Sequence, residues 1–196
     1  MHPYHYPGGP EWLGGPGDTL AGLKQRVGSK PIYLTEMGWP THTGGGTTEL
    51  QQADNLIRLY AVSLAHGATR VYWYDLVNDG TDPAGAEQNF GMLRRPSASV
   101  TANAPKPALV AQAVTARMIG GRPYTGGDPV ALPARSARFG GTRVLWSTGS
   151  AAVTVTASGP ITVTDGYGRA TTRTSPATIP LGPAPLFVTG PVTNVT

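Results

Sequence analysis

The run Lys30-Pro31-Ile32-Tyr33-Leu34-Thr35-Glu36-Met37-Gly38-Trp39-Pro40 decides how the rest of the chain reads. Strand side chains alternate with period two, so Ile32, Leu34 and Glu36 fall on one face and Tyr33 and Thr35 on the other. The carboxylate therefore closes an apolar row. In a core that charge would be costly, but Gly38 and Pro40 break the run just beyond it, which puts Glu36 at the C-terminal lip of a strand. Two readings stay open at this point: a catalytic carboxylate at the end of a parallel strand, and a structural ion pair with an arginine.

The flanking segments favour a parallel arrangement. Upstream, residues 1–16 are rich in Pro, Gly and aromatic residues and read as loop, with His2-Pro3-Tyr4 as the tail of a strand. Asp18 or Thr19 caps a helix carrying Leu20, Leu23 and Val27, and Gly28 stops it. Downstream, Thr48 and Gln51 have capping-box spacing, and Leu50, Ala53, Leu56, Ile57, Tyr60, Ala61 and Leu64 share one helical face as far as Gly67. Ala68 to Val77 is rich in β-formers and reads as a second buried strand, so strand, helix and strand make a parallel unit. After a polar loop from Asn78 to Pro105, Pro107 opens a helix with Val110, Val114 and Met118 aligned, closed by Gly120-Gly121.

Beyond Gly121 the helical period disappears. Short β-branched runs at Arg143–Trp146, Ala152–Thr156, Ile161–Thr164 and Leu186–Thr189 predict a small antiparallel β domain. Asp165-Gly166 is a turn signal, Pro180, Pro183 and Pro185 point the last strand toward an edge or bulge, and Pro123 to Pro133 reads as a linker. The expected division is thus an α/β part over residues 1–121 and an all-β part over 122–196.

Composition narrows the function classes. Of 196 residues only 13% are charged while 39% are hydrophobic, which fits a loop-rich folded chain. The net charge of +4 is spread over single arginines, with Arg94-Arg95 the one adjacent pair, so no nucleic-acid stripe is present. There is no cysteine, which excludes disulfides, thiolate metal sites and Cys nucleophiles. No apolar run is long enough to span a membrane, and Met1–Pro7 lacks the regions of a signal peptide. His2 and His5 lack a third ligand at known spacing, Asp75, Asn78, Asp79 and Asp82 miss the EF-hand pattern, and Gly44-Gly45-Gly46 lacks the Lys-Ser/Thr of a phosphate loop. Neither a metal nor a cofactor is expected.

Taken in order, His2-Pro3-Tyr4, Thr35-Glu36-Met37-Gly38-Trp39, Val71-Tyr72-Trp73-Tyr74 and Asn89-Phe90-Gly91-Met92-Leu93 make the chain resemble the C-terminal part of a clan A retaining glycoside hydrolase. The families nearest to it combine a (β/α)8 barrel with a C-terminal β-sandwich. The resemblance implies the end of strand six through helix eight of a TIM barrel, followed by a small antiparallel β-sandwich. It also implies Glu36 as nucleophile, Tyr4 and His2 as its neighbours, and Trp73 and Trp39 as flat faces for a carbohydrate substrate. Barrels of this kind take ~250 residues, so the acid/base is expected upstream and the chain alone is expected to be inactive. A full-length parent is expected to be secreted or at the cell surface.

Among the remaining acids Asp75 is the nearest rival to Glu36, and its simpler reading is a buried carboxylate accepting from loop amides. Two other functions fit the same residues: a non-catalytic glycan-binding or accessory protein, and an interaction half that self-associates or is completed by another chain through uncovered sheet edges.

Overall fold

The computed structural model describes residues 1–100 and 103–196, which form two compact units, Met1–Gln112 and Ala113–Thr196. The division falls inside a helix, nine residues before Gly121.

In the first unit a 3-10 turn, Pro10–Gly14, interrupts the opening segment that reads as loop, and it buries Leu13 completely. Helix α1 spans Leu20–Val27. Thr19 caps it by accepting from the Gly22 amide, and Gly28 ends it at φ 60°, a left-handed position that suits a residue without Cβ. Strand β1, Ile32–Met37, alternates through Thr35, with Ile32 and Leu34 buried and Tyr33 and Thr35 exposed; the alternation then breaks, leaving Glu36 half-way and Met37 buried. Helix α2, Glu49–Ala65, has the predicted capping box between Thr48 and Gln51. It leads to β2, Ala68–Trp73, which pairs in parallel with β1.

Two expectations fail in this unit. Leu50 is 58% exposed, because it lies in the first turn of α2, outside the stripe that buries Ala53, Leu56, Ile57 and Ala61. The second strand ends at Trp73 rather than Val77 and is not buried: Tyr72 is 47% exposed, and Arg70 lies over the Tyr33 ring at 5.6 Å. Among the described strands β1 and β2 form a sheet of two, and α2 packs on β2.

The segment before β1 also joins the sheet edge. Met1 donates to the Tyr33 carbonyl at 2.8 Å and accepts from the Thr35 amide at 3.2 Å, the pair of bonds that a parallel neighbour exchanges.

The loop after β2 is tied down by its own backbone and by buried side chains. Met92 and Leu93 donate to the Asp75 and Leu76 carbonyls at 3.1 and 2.8 Å. Thr101 and Ala102 of that predicted loop lie outside the described residues. Helix α3, Pro107–Ile119, begins at proline as expected. Its buried positions, however, are Ala108, Ala111, Val114, Thr115 and Ile119, while Val110 is 43% exposed. The small residues allow close approach, and the apolar triad read from the sequence lies partly off that stripe.

The second unit is antiparallel throughout. Strands β3 (Tyr124–Gly126), β4 (Ala134–Phe139), β5 (Thr142–Ser147), β6 (Ala151–Ala157), β7 (Ile161–Asp165), β8 (Ala170–Arg173), β9 (Ala177–Leu181), β10 (Leu186–Thr189) and β11 (Val192–Val195) form two sheets. Their orders are β3-β4-β5-β10-β7-β8 and β11-β6-β9. Leu145, Ile161 and Val188 of the larger sheet share one core with Val153, Val155, Ile179 and Val195 of the smaller, which is how a sandwich buries two inner faces.

Asp165 turns β7 into β8 by accepting from the Tyr167 and Arg169 amides, both at 2.9 Å. The segment that reads as a linker contains β3, paired with β4. The last long apolar run, β10, is not an edge: it lies between β5 and β7, because its own four residues include no proline. Pro180 instead sits in β9, which is an edge of the smaller sheet, where a missing N–H costs no ladder bond.

Candidate active site

Glu36 is placed by the strand that carries it. Its row-mates Ile32 and Leu34 are 5% and 0% exposed, whereas the Glu36 side chain is 41% exposed at the strand's C-terminal end. Met37 and Trp39 beyond it are fully buried, so Glu36 is the half-exposed position of the strand end, where its charge meets solvent and polar partners instead of core.

Two of those partners come from the segment bonded along β1. The Tyr4 hydroxyl donates to Glu36 Oε2 at 3.3 Å, and His2 Nδ1 stands 3.4 Å from the same oxygen, an ion pair when the imidazole is protonated. Both contacts fall on Oε2, which leaves Oε1 as the oxygen without a described protein donor. Burial, reinforced by the Glu36 charge and the hydrogen bond to it, pushes the Tyr4 phenol well above its ordinary range. It therefore remains a donor at any physiological pH.

A cavity of about 270 Å³ opens beside this carboxylate, lined by Tyr4, Tyr6, Glu36, Tyr74, Glu87 and Phe90. Its wall is an edge-on aromatic cluster. Phe90 lies at the centre, 5.6 Å from the Tyr4 ring, 5.5 Å from Tyr6 and 5.4 Å from Tyr74, with interplanar angles of 64–78°. Edge-to-face packing of this kind holds rings in fixed orientations. The Tyr74 hydroxyl donates to Asp79 Oδ2 at 2.8 Å, and that bond, with burial, pushes its pKa up to about 12.

Two glycines explain how the strand ends come so close. A Cβ on Gly38 would meet the Tyr74 carbonyl oxygen and then Phe90 Cδ1 at 3.1 Å. One on Gly91 would meet the Asn78 amide and the Leu93 carbonyl. Gly38→Ala is therefore expected to push Tyr74 and Phe90 out of the pocket wall and lower stability by about 1–3 kcal/mol. Urea unfolding followed by tryptophan fluorescence measures it, and an unchanged midpoint would mean that the wall yields freely.

Beneath the wall lies a polar cluster that sequence reading missed. Lys106, 2% exposed, donates from Nζ to Thr41 Oγ1, Asn78 Oδ1 and the Asn89 carbonyl at 3.0, 2.9 and 3.0 Å. Gln52 of α2, fully buried, donates to the Trp39 and Phe90 carbonyls at 2.8 and 3.0 Å. These bonds join the loop after β1 to the loop after β2. The only signal in the sequence was a lysine next to a helix-opening proline, which is uninformative alone.

The two tryptophans behave differently from the platform expectation. Trp39 is 0% exposed, donates to the Gly8 carbonyl at 2.7 Å and stacks on Trp73 at 6.0 Å. A ring that buried offers no face to a sugar, so the Trp39 expectation is corrected to a packing role. Trp73 is half-buried behind it, with Nε1 buried and without a hydrogen-bond partner among the described residues. The aromatic residues that do line the cavity are Tyr4, Tyr6, Tyr74 and Phe90. Asp75 has Oδ1 buried without a hydrogen-bond partner among the described residues, and burial, then the Asp79 charge, outweigh Lys106, its own backbone amide and Arg95 and raise its carboxyl to about 6. Among the described residues no group of His, Asp and Glu is arranged to hold a metal ion.

No family model and no curated protein matches the chain. Several solved structures are similar to it, two of them as follows. A family 39 glycoside hydrolase from the gut symbiont Bacteroides cellulosilyticus WH2 matches over 96% of this chain and 43% of its own, with a TM-score of 0.80 and 24% identity. SrfJ from Salmonella typhimurium matches over 97% of this chain and 40% of its own, with a TM-score of 0.58 and 10% identity. The chain thus spans less than half the length of the structures it resembles. At these identities the likeness is one of fold, and it covers both units.

Proposed function

We propose that this chain is the nucleophile-bearing part of a retaining O-glycoside hydrolase. Glu36 attacks, and an acid/base carboxyl is contributed by a segment outside these 196 residues. The observation that carries the reading is the convergence of Tyr4 and His2 on one oxygen of a half-exposed carboxylate at a strand end, beside a cavity with aromatic walls. The fold likeness to a family 39 glycoside hydrolase supports it, as does the resemblance of the motifs around His2, Glu36, Trp73 and Asn89. A (β/α)8 barrel completed upstream belongs to the same proposal.

In this mechanism Oε1 of Glu36 forms a bond to the anomeric carbon while the C–O bond to the leaving group breaks and the acid/base delivers a proton to the departing oxygen. Water, deprotonated by that same acid/base, then attacks the anomeric carbon and releases the carboxylate. Tyr4 and His2 hold Oε2, fixing the carboxylate plane and stabilising its ionised form. The carboxyl groups of such a pair stand ~5–5.5 Å apart, which the upstream donor must satisfy.

The test is covalent trapping. In a polypeptide joining these residues to the upstream segment, a 2-fluoroglycoside of matching sugar should add one glycosyl mass to the peptide containing Glu36; labelling elsewhere would remove the assignment. Tyr4→Phe deletes one donor and no bond-forming atom, so turnover should fall by about tenfold, the worth of roughly one hydrogen bond to a charged group. Steady-state kinetics decides this, and a loss of many orders of magnitude would move Tyr4 into the bond-making machinery.

A further inference from the structure

The charge around the pocket is one-sided, although the chain as a whole carries net +4. From Val71 to Leu93 the sequence contains Asp75, Asp79, Asp82 and Glu87 and no lysine or arginine. The pocket lining has two carboxylates, Glu36 and Glu87, and no lysine or arginine among the described residues. Three cations on the adjoining loop and at the start of α3 have partners of their own. Arg94 is paired with Glu49, Arg95 donates to the Asn78 carbonyl at 2.8 Å, and Lys106 has its three acceptors under the loop. Two imidazoles flank the pocket, His2 on Glu36 and His42 at 6.5 Å from the Tyr6 ring.

The loop that carries Glu87 is tied by the residues around it. Gln88 Oε1 accepts from the Asp82 amide at 3.0 Å, and Asn89 Nδ2 donates to the Asp82 and Gly85 carbonyls at 2.8 and 2.7 Å. The loop that carries Glu87 is thus closed on itself by the two residues that follow it. Its charge contributes, behind burial and Glu36, to holding the Tyr4 phenol protonated.

We propose that Glu87 is a specificity-determining residue that disfavours a uronic acid and favours a neutral or amine-bearing sugar in the ring held beside Glu36. The proposal rests on the reading of this pocket as a glycan site. A carboxylate on the sugar would enter beside the carboxylates of Glu36 and Glu87, with no lysine or arginine among the described lining residues to meet it. An ammonium group would gain what the carboxylate loses, and hydroxyls can donate to Glu87 at little cost.

The experiment is amide NMR titration of the full 196-residue chain with matched amine, neutral and carboxylate methyl glycosides of the gluco, galacto and manno series. Binding should perturb Tyr4, Tyr74 and Phe90 and follow the order amine, neutral, uronate. Glu87→Gln should narrow the amine-to-uronate ratio of Kd by roughly tenfold at low salt, and Glu87→Lys should invert the order. Both changes are on an exposed side chain. The discrimination should fade near 1 M salt, where charges are screened within ~3 Å; a steric preference would persist. Pocket binding in which uronates do as well as amines, or in which Glu87→Gln changes nothing, overturns the inference and leaves the glycan reading standing. If no sugar of any charge perturbs the pocket, the glycan reading fails and this inference falls with it.

Discussion

Glu36→Gln, in a polypeptide that joins these residues to the upstream acid/base, is expected to lower glycoside turnover by roughly three to six orders of magnitude while leaving sugar affinity within a few-fold. The amide keeps the planar shape and can still meet Tyr4 and His2, both of which contact one oxygen. What it loses is the charge that forms and then releases the glycosyl ester. Affinity is retained because the cavity wall is built by Tyr4, Tyr6, Tyr74 and Phe90, whose rings brace one another independently of the carboxylate. The split between turnover and binding is diagnostic. If turnover and affinity fell together, Glu36 would be a binding group; if neither fell, Asp75, raised to about 6 by burial, would be the next carboxylate to replace.

The parts of this architecture that were legible in the sequence are those set by local chemistry. The alternation from Ile32 to Thr35, the capping box at Thr48 and Gln51, the stop at Gly28 and the turn at Asp165 depend on neighbours within a few residues, and each appears as read; at Glu36 the pairing with β2 shifts register and the alternation breaks. What stayed hidden depends on partners distant in sequence. Strands β3, β8 and β11 are short, exposed or polar, and they form because an established neighbour offers a ladder, not because of their own composition. β10 became central despite the prolines before it, because a proline outside a strand blocks no ladder bond.

The pocket divided in the same way. Glu36, Tyr4 and His2 were chosen from the sequence, and the structure brings them together. Glu87, Tyr6 and Phe90 were not, since nothing in the sequence says which loop residues turn inward. Period two alone favours neither Trp73 nor Tyr74; the end of β2 at Trp73 leaves Tyr74 to line the cavity while Trp73 packs on Trp39.

Lys106→Met is expected to abolish a rise in stability between pH 8 and pH 10. Burial, acting with the nearby Arg94 charge and against Glu49 and Asp75, lowers the Lys106 pKa from 10.5 to about 8. The group's folded value is thus depressed below its unfolded one. In the window between them the unfolded chain binds more protons than the native chain, so stability climbs with pH, and it falls again as pH drops through the folded value. The climb from pH 8 to pH 10 is about 2 kcal/mol for such a shift. Other displaced groups act mostly outside this window. Asp54 and Asp75 titrate near 6, and the raised phenols of Tyr4, Tyr60 and Tyr74 oppose folding only at the top of the window, by about 0.4 kcal/mol each at their ordinary value of 10, in wild type and variant alike. Methionine fills similar volume without a titrating group, and it leaves Asn78 Oδ1 without the donor at 2.9 Å. The variant should therefore be less stable than wild type by about 1–3 kcal/mol at pH 7, with the gap widening toward pH 10. Urea unfolding at half-unit steps of pH reads both quantities. A wild-type curve that is flat from pH 8 to pH 10, or a variant that climbs as steeply, would show that the amine joining Thr41, Asn78 and Asn89 titrates like an exposed lysine.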